Sequence, residues 1–242
     1  KMISAGMNVA RINMSHHSDD FDIFSIIKSI RKAANDLDKS VSIIMDLPGP
    51  KIRTANKEII NIKRGDEYTL GLDGDIPINL NLKFDKLNNG GKVKIDDGKL
   101  SFKITKKISN SKIQIKAKNK GKITFRKGVN ISGLDIGLPS INKKDLEHIK
   151  LATKLDLDWI ALSFVRSEKD RIPVDNLFKR LRHSIPLIAK IEKPEAINRV
   201  DHIIDAFDGI LIARGDLGLE MDLQEVPPLQ KKIIKKCNEK CK

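Results

Sequence analysis

The chain has 242 residues, 40% hydrophobic and 32% charged, enough for one large or two ordinary domains with a sizeable core. The net charge of +14 raises the question of nucleic-acid binding, but the basic residues are mixed with 32 acidic ones, and aromatic residues make up only 4%. That is too few for a base-stacking platform. The sequence shows no membrane-span pattern and only two cysteines. We therefore expect a cytoplasmic protein that binds neither nucleic acid nor membrane.

The first part of the chain alternates strands and a helix. Residues 7–14 and 41–47 have the composition of strands, and residues 19–37 carry apolar side chains at helical spacing. Pro48 to Pro50 stop the second strand.

Polar residues lie near the carboxyl ends of both predicted strands. Arg11, Asn13 and Ser15 occupy alternate positions, so they face the same side of the first strand, and Asp46 ends the second. They could bind an anion or a cation, since Arg is suited to phosphate and Asp46 offers oxygen. A strand-to-loop hydrogen-bond network is the alternative.

From about residue 55 to residue 132 the apolar runs become short and alternating. Asp97-Gly98 and the segment 119–121 have the composition of hairpin or loop turns. This texture predicts a small antiparallel β domain inserted between α/β parts.

The α/β alternation then resumes. Strands are predicted at residues 159–165, 186–191 and 208–213, with helices between and after them, one of them capped by Asn142 and one opened by Pro194. Alternating strands and helices at this spacing predict a parallel sheet of the TIM type.

The predicted fold class is therefore α/β, a partial (β/α)8 TIM barrel with an inserted small antiparallel β-barrel domain. The predicted domains are 1–50 (barrel, first part), 51–136 (inserted β domain) and 137–242 (barrel, second part). Five strands do not close an eight-stranded barrel, and the first residue is Lys1, so we expect a piece of a longer protein.

The strand 186–191 carries the strongest chemical pattern. Lys190 and Glu192 are two residues apart, so both side chains point into the same space, and Asp216 follows the next strand. Two carboxylates suit Mg²⁺ or Mn²⁺, which prefer oxygen ligands. A solvent-exposed charged strand end is the alternative. Gly215 and Gly218 suit a tight turn into a helix whose N–H groups attract anions, a weak pattern by itself.

Six blocks of sequence closely resemble the pyruvate kinase family. They are GMNVARINMSH, MDLPGPKIRT, KGVNISG, WIALSFVRS, IAKIEKPEAI and GILIARGDLGLEM, in that family's order and with its β domain between the second and third. The resemblance covers essentially the whole chain. It implies phosphoryl transfer from phosphoenolpyruvate to ADP, giving pyruvate and ATP in glycolysis, by a full-length homotetramer.

The resemblance also implies roles for the residues of the active site. Arg11 resembles the substrate-phosphate Arg, and Lys190 the Lys that stabilises phosphoryl transfer and the enolate. Glu192 and Asp216 resemble the ligands of Mg²⁺ or Mn²⁺, with Gly215 and Asp216 also near the substrate.

Further roles follow for the nucleotide and for a monovalent cation. Asn13, Arg53 and Lys127 resemble nucleotide contacts. The monovalent-cation site of the family matches four residues here, namely Asn13, Ser15, Asp46 and the carbonyl of Leu47.

Three departures from the family pattern qualify this assignment. Lys51 stands where potassium-dependent members usually have Glu, which predicts that K⁺ is not required. Gly137 stands where the family has Asp, which places the lid-hinge contacts in doubt. The family's first barrel strand would precede Lys1, and its Thr-bearing block would follow Lys242, so we expect this piece alone to be poorly stable and inactive.

Two other functions remain open at the level of sequence. One is a metal-dependent phosphoenolpyruvate or oxo-acid lyase or aldolase, which would share the carboxylate and enolate chemistry but not need ADP. The other is a basic fragment that binds RNA or another anion.

Overall fold

The computed structural model describes residues 1–16, 22–84, 87, 91–132 and 139–242. The chain divides into two compact units. The first unit comprises Lys1–Pro50, Pro139–Ala213 and Pro227–Lys242, and the second comprises Lys51–Leu138 and Arg214–Val226. This division differs from the predicted domains in two places, because residues 137–138 and Arg214–Val226 group with the β-rich unit. Gly137 lies outside the described residues.

The first elements are β1 (Val9–Asn13), α1 (Ile23–Asp36) and β2 (Ser42–Asp46). Asp22 caps α1, since its side chain accepts a hydrogen bond from the Ser25 backbone N–H at 3.1 Å. The predicted helix start at residue 19 lies outside the described residues.

Eight short strands follow. They are β3 (Ile60–Ile62), β4 (Glu67–Gly71), β5 (Ile76–Pro77), β6 (Lys92–Ile95), β7 (Leu100–Ser109), β8 (Lys112–Ala117), β9 (Gly121–Ile123) and β10 (Val129–Ile131).

Helices and strands then alternate. They are α2 (Lys143–Lys154), β11 (Trp159–Leu162), α3 (Ile172–Leu181), β12 (Leu187–Ile191), α4 (Pro194–Asn198), α5 (Val200–Ala206), β13 (Gly209–Ile212), α6 (Arg214–Glu220) and α7 (Val226–Glu239). Among the described residues, no helix combines the length and the apolar character needed to cross a membrane.

The first unit is built on a five-stranded sheet with the order β1-β2-β11-β12-β13. Every neighbouring pair is parallel, which confirms the alternating strand–helix prediction. Parallel neighbours place all their carboxyl ends at one edge, so residues that follow β2, β11 and β12 meet there. Buried side chains such as Ile43, Met45 and Ala189 fill the strands.

Two helices of this unit test the predicted boundaries. Asn142 caps α2 as predicted, and its side chain and that of Asp145 form a reciprocal capping box. The single helix expected from Pro194 is instead divided into α4 and α5 at Arg199 (φ −117°, ψ 14°). There the Arg199 N–H bonds to the carbonyl of Ala196, a tight i→i−3 turn that ends the α-helical ladder.

The second unit contains a six-stranded sheet, β10-β6-β7-β8-β4-β5, and a two-stranded sheet, β3-β9. The pairing is antiparallel as predicted except between β4 and β5, which are parallel. The predicted Asp97-Gly98 turn joins β6 to β7, with positive φ at both residues. A hydrophobic core that includes Phe84, Phe102 and Ile115 fills this unit.

Candidate active site

The Lys190 ammonium is the centre of a buried polar network in the first unit. Lys190 is only 8% exposed. Its Nζ lies 2.9 Å from Asp46 Oδ1 and 2.9 Å from Glu192 Oε1. It also donates a hydrogen bond of 2.7 Å to Ser163 Oγ. The side chain therefore carries its charge among two carboxylates and a hydroxyl rather than in solvent.

Burial and ion pairing have opposite effects on the pKa of Lys190. Burial lowers the pKa, but the charges of Glu192 and then Asp46 outweigh it, so the pKa is raised above its usual 10.5. Lys190 is consequently a fixed cation at neutral pH.

The parallel sheet explains why these residues meet. Asp46 ends β2, Ser163 follows β11, and Lys190 lies near the end of β12. The register pairs Ala161 with Asp46 and Leu162 with Ala189, which aligns the three strand ends. Polar side chains at adjacent carboxyl ends are thus brought together by the topology itself.

Glu192 is fixed by a backbone hydrogen bond as well as by Lys190. It is 2% exposed, and its Oε2 accepts from the Phe164 N–H at 3.0 Å. Phe164 has a positive φ of 56°, and its carbonyl accepts from Ser140 Oγ at 3.2 Å. A left-handed backbone conformation is uncommon for an aromatic residue, so the backbone is strained at Phe164. The N–H of this same residue orients Glu192.

Arg11 is brought to the same network by β1. Its Nε donates to Asp46 Oδ2 at 2.9 Å, while its side chain is 52% exposed. Asn13 is the register partner of Asp46, and its Oδ1 accepts from the Ser15 N–H at 2.9 Å. The predicted strand-end cluster therefore combines a half-exposed guanidinium with several oxygen atoms.

The oxygen atoms of this network suit hard cations. Asp46 Oδ1 is buried and lacks a partner of hydrogen-bonding geometry, although the Lys190 ammonium lies 2.9 Å away. Each carboxylate oxygen of Asp46 and Glu192 has two lone pairs, so contacts to Lys190 leave capacity for coordination. Hard cations prefer such oxygens. The residues present therefore fit the predicted cation ligands, although the part of the chain that the structure describes shows no cluster of three or more His, Cys, Asp or Glu side chains suited to a metal.

Asp216 and Gly215 lie in the second unit, in the first turn of α6. Asp216 Oδ1 is 3.5 Å from the Nζ of Lys51, and both side chains are partly exposed. The helix is also held within this unit by Lys94, whose Nζ donates to the Gly218 carbonyl at 3.2 Å. The residue that departs from the family pattern, Lys51, is thus the ion-pair partner of a predicted metal ligand.

Arg53 and Lys127 are neighbours in the second unit. The Thr54 N–H donates to the Lys127 carbonyl at 2.8 Å, and Arg53 pairs with Gly128 across an isolated bridge. Burial lowers the pKa of Arg53, and the neighbouring charge of Arg126 lowers it further. Two of the three predicted nucleotide-binding residues are therefore close along the paired backbone of the second unit, whereas Asn13 belongs to the first unit.

Sequence reasoning missed two contributors to the network. Ser163 and the backbone N–H of Phe164 contact Lys190 and Glu192, respectively. A single Ser at the end of an apolar strand has no distinguishing pattern, and a backbone donor has none at all. Only the register of β11 against β12 would have identified them.

Comparisons with known proteins show to which family the chain belongs. A protein-family model described as "Pyruvate kinase, barrel domain" matches residues 1–242. The chain is 37% identical over 248 aligned residues to proteins named "Pyruvate kinase" from Staphylococcus aureus strains MRSA252 and USA300. These alignments cover 98% of this chain but 42% of each relative, so the chain spans about two fifths of the relatives' length. Because the family model matches residues 1–242, the chain belongs to the pyruvate kinase family.

Proposed function

We propose that this chain supplies the substrate site of a pyruvate kinase, which transfers a phosphoryl group from phosphoenolpyruvate to ADP to give pyruvate and ATP. The observation that carries the proposal is the Lys190 ammonium, buried between Asp46 and Glu192 at the carboxyl ends of parallel strands. The family assignment gives no support to the lyase, aldolase or RNA-binding alternatives.

The chemistry needs positive charge placed in advance. As the bond between phosphorus and the substrate oxygen breaks, negative charge develops on the enolate oxygen and on the phosphoryl oxygens, and the enolate is then protonated at carbon. A fixed cation stabilises this charge without reorganising at the moment of reaction. Lys190 fits this role because its two carboxylate partners hold it in place and keep it protonated.

Arg11 would bind the substrate phosphate. Its Nε donates a hydrogen bond to Asp46, which orients the guanidinium. The side chain is half-exposed, so its terminal nitrogens would be available to phosphate. Arg53 and Lys127, with Asn13, would contact the nucleotide. Glu192 and Asp216 would hold Mg²⁺ or Mn²⁺, which when bound neutralises charge on the transferring phosphoryl group.

The same assignment supports further proposals. The parallel sheet would be part of a (β/α)8 barrel, and the β-rich unit would be an inserted β-barrel lid. Asn13, Ser15, Asp46 and the Leu47 carbonyl would form the monovalent-cation site, with the Lys51 ammonium removing the need for K⁺. The full-length enzyme would be a cytoplasmic homotetramer, and residues 1–242 alone would be inactive.

Substitution of Lys190 tests the proposed function. In the full-length product of the gene, Lys190→Met should lower kcat by at least about 100-fold, in line with loss of a preorganised charge-stabilising group. Lys150→Met, which removes an exposed lysine of the same unit, is the matched control. Pyruvate formation by K190M at the rate of the control would refute the proposal. Formation of pyruvate without ADP would favour a lyase instead.

A further inference from the structure

Ser163 is a buried hydroxyl with two short contacts. It is 3% exposed and directly follows β11. Its Oγ donates to the Leu47 carbonyl at 2.6 Å and accepts from Lys190 Nζ at 2.7 Å. Both partners belong to neighbouring strand ends of the same sheet.

The direction of these two hydrogen bonds is fixed by chemistry. A hydroxyl has one proton and two lone pairs, whereas a carbonyl oxygen only accepts. The proton of Ser163 is therefore directed to Leu47, and a lone pair faces Lys190. Since an ammonium only donates, no alternative arrangement of protons satisfies both contacts.

Three oxygen atoms lie close to the Lys190 ammonium, two from carboxylates and one from the Ser163 hydroxyl. Asp46 and Glu192 provide the negative charge that offsets burial of the ammonium. Ser163 adds no charge, but its hydrogen bond is directional, so it constrains the position and orientation of the ammonium in addition to the two ion pairs.

We propose that Ser163 is a positioning residue for phosphoryl transfer. Its hydroxyl donates to the Leu47 carbonyl and accepts from the Lys190 ammonium, and in this way it fixes the orientation of the ammonium. The inference rests on the proposed function. It predicts a loss in the chemical step, because a misoriented charge stabilises the transition state less while substrate binding depends on other groups.

The chain offers a control in Thr153. This residue lies in α2 of the same unit, and its Oγ1 donates to the Ile149 carbonyl at 2.9 Å. Thr153→Val thus removes a half-buried hydroxyl that is hydrogen-bonded to a backbone carbonyl but belongs to no part of the proposed site.

Steady-state kinetics of the full-length gene product give the first measurement. Ser163→Ala should lower kcat roughly 10- to 100-fold with KM for phosphoenolpyruvate changed much less. Thr153→Val should leave both constants close to wild type. Ser163→Thr, which keeps the hydroxyl, should recover most of the lost kcat.

The reactivity of Lys190 gives a second measurement that does not depend on turnover. Acetic anhydride labelling, followed by peptide mass spectrometry, should acetylate Lys190 roughly 10-fold faster in S163A than in wild type, as expected for loss of one charge-assisted hydrogen bond. The T153V rate should equal that of wild type. If S163A does not fold, Ser163→Cys replaces it, because sulfur is close in size but a weak acceptor.

Two outcomes are distinguishable. If wild type is active and S163A, or S163C in its place, matches T153V in kcat and in labelling, the role of Ser163 is overturned while the proposed function stands. If wild type transfers no phosphoryl group to ADP, the proposed function itself fails.

Discussion

Removal of the Lys190 charge should destabilise the sheet as well as abolish activity. Asp46 and Glu192 are 1% and 2% exposed, so in Lys190→Met both carboxylates stay buried without their shared cation. Breaking a buried ion pair from one side costs about 3–5 kcal/mol, because an uncompensated charge remains. Arg11 still contacts Asp46 from the outside, so the lower part of this range is expected.

Hydrogen exchange measures this cost where it arises. The backbone amides of β11 and β12 in the full-length gene product should exchange about 100- to 1,000-fold faster in K190M, since about 1.4 kcal/mol corresponds to a factor of 10. The control K150M should exchange at the wild-type rate. Adding Glu192→Gln to K190M removes one of the two buried negative charges and should recover part of the protection.

The pH dependence provides an independent check of the same reasoning. Lys190 has a raised pKa, so the stability from its ion pairs is fully present below 10.5 and is lost as the pH rises through its folded pKa. Protection in wild type should therefore decline at strongly alkaline pH, and K190M should lack this decline. Equal protection in K190M and K150M at neutral pH would show that the ion pairs do not hold the strand ends together.

Three further predictions concern residues other than Lys190, Asp46 and Glu192. Lys51→Glu should create a several-fold stimulation of activity by KCl at constant ionic strength, and a large stimulation of wild type would contradict the role given to Lys51. Asp96→Asn frees Lys127, whose Nζ lies 2.9 Å from Asp96 Oδ1, and should lower KM for ADP about 1.5- to 5-fold, as expected for a partly exposed pair; Asp73→Asn is the control, and equal KM values would argue against Lys127 as a nucleotide ligand. Burial raises the pKa of Asp145, so the stability it contributes is full below its usual 3.8 and is lost as the pH rises through its folded pKa. The Tm of wild type minus that of Asp145→Asn should consequently fall as the pH is raised from 4, whereas a constant difference would exclude this titration.

The parallel pairing of the strands in the first unit could be predicted from the alternation of strands and helices along the chain. Apolar runs separated by amphipathic helices predict a parallel sheet, and residues such as Asp46 and Lys190 then meet at its carboxyl edge. Local chemistry also predicted the start of α2, since the capping oxygen of Asn142 needs only residues within one turn.

The parts that sequence could not predict depend on distant contacts. Helix propensity gives no reason to divide α4 from α5 at Arg199, yet the guanidinium of this residue binds Glu168, which is 31 residues away. The contact of Lys51 with Asp216 spans 165 residues. Pairings of this kind are decided by tertiary geometry, which propensity does not encode.

Asp46 and Glu192 have two roles in the proposed site, and both roles depend on the burial of the network. They keep Lys190 charged, and their oxygen atoms have further lone pairs for the cations that the family resemblance assigns to these residues. In solvent, water would weaken both effects, because charge interactions fall as the local dielectric rises. Burial strengthens them, but it also requires that every buried charge have a partner. A lysine placed between two carboxylates meets that requirement with a net negative charge left over. The strand ends are thus prepared to accept further positive charge, and Arg11 and a bound metal cation would provide it.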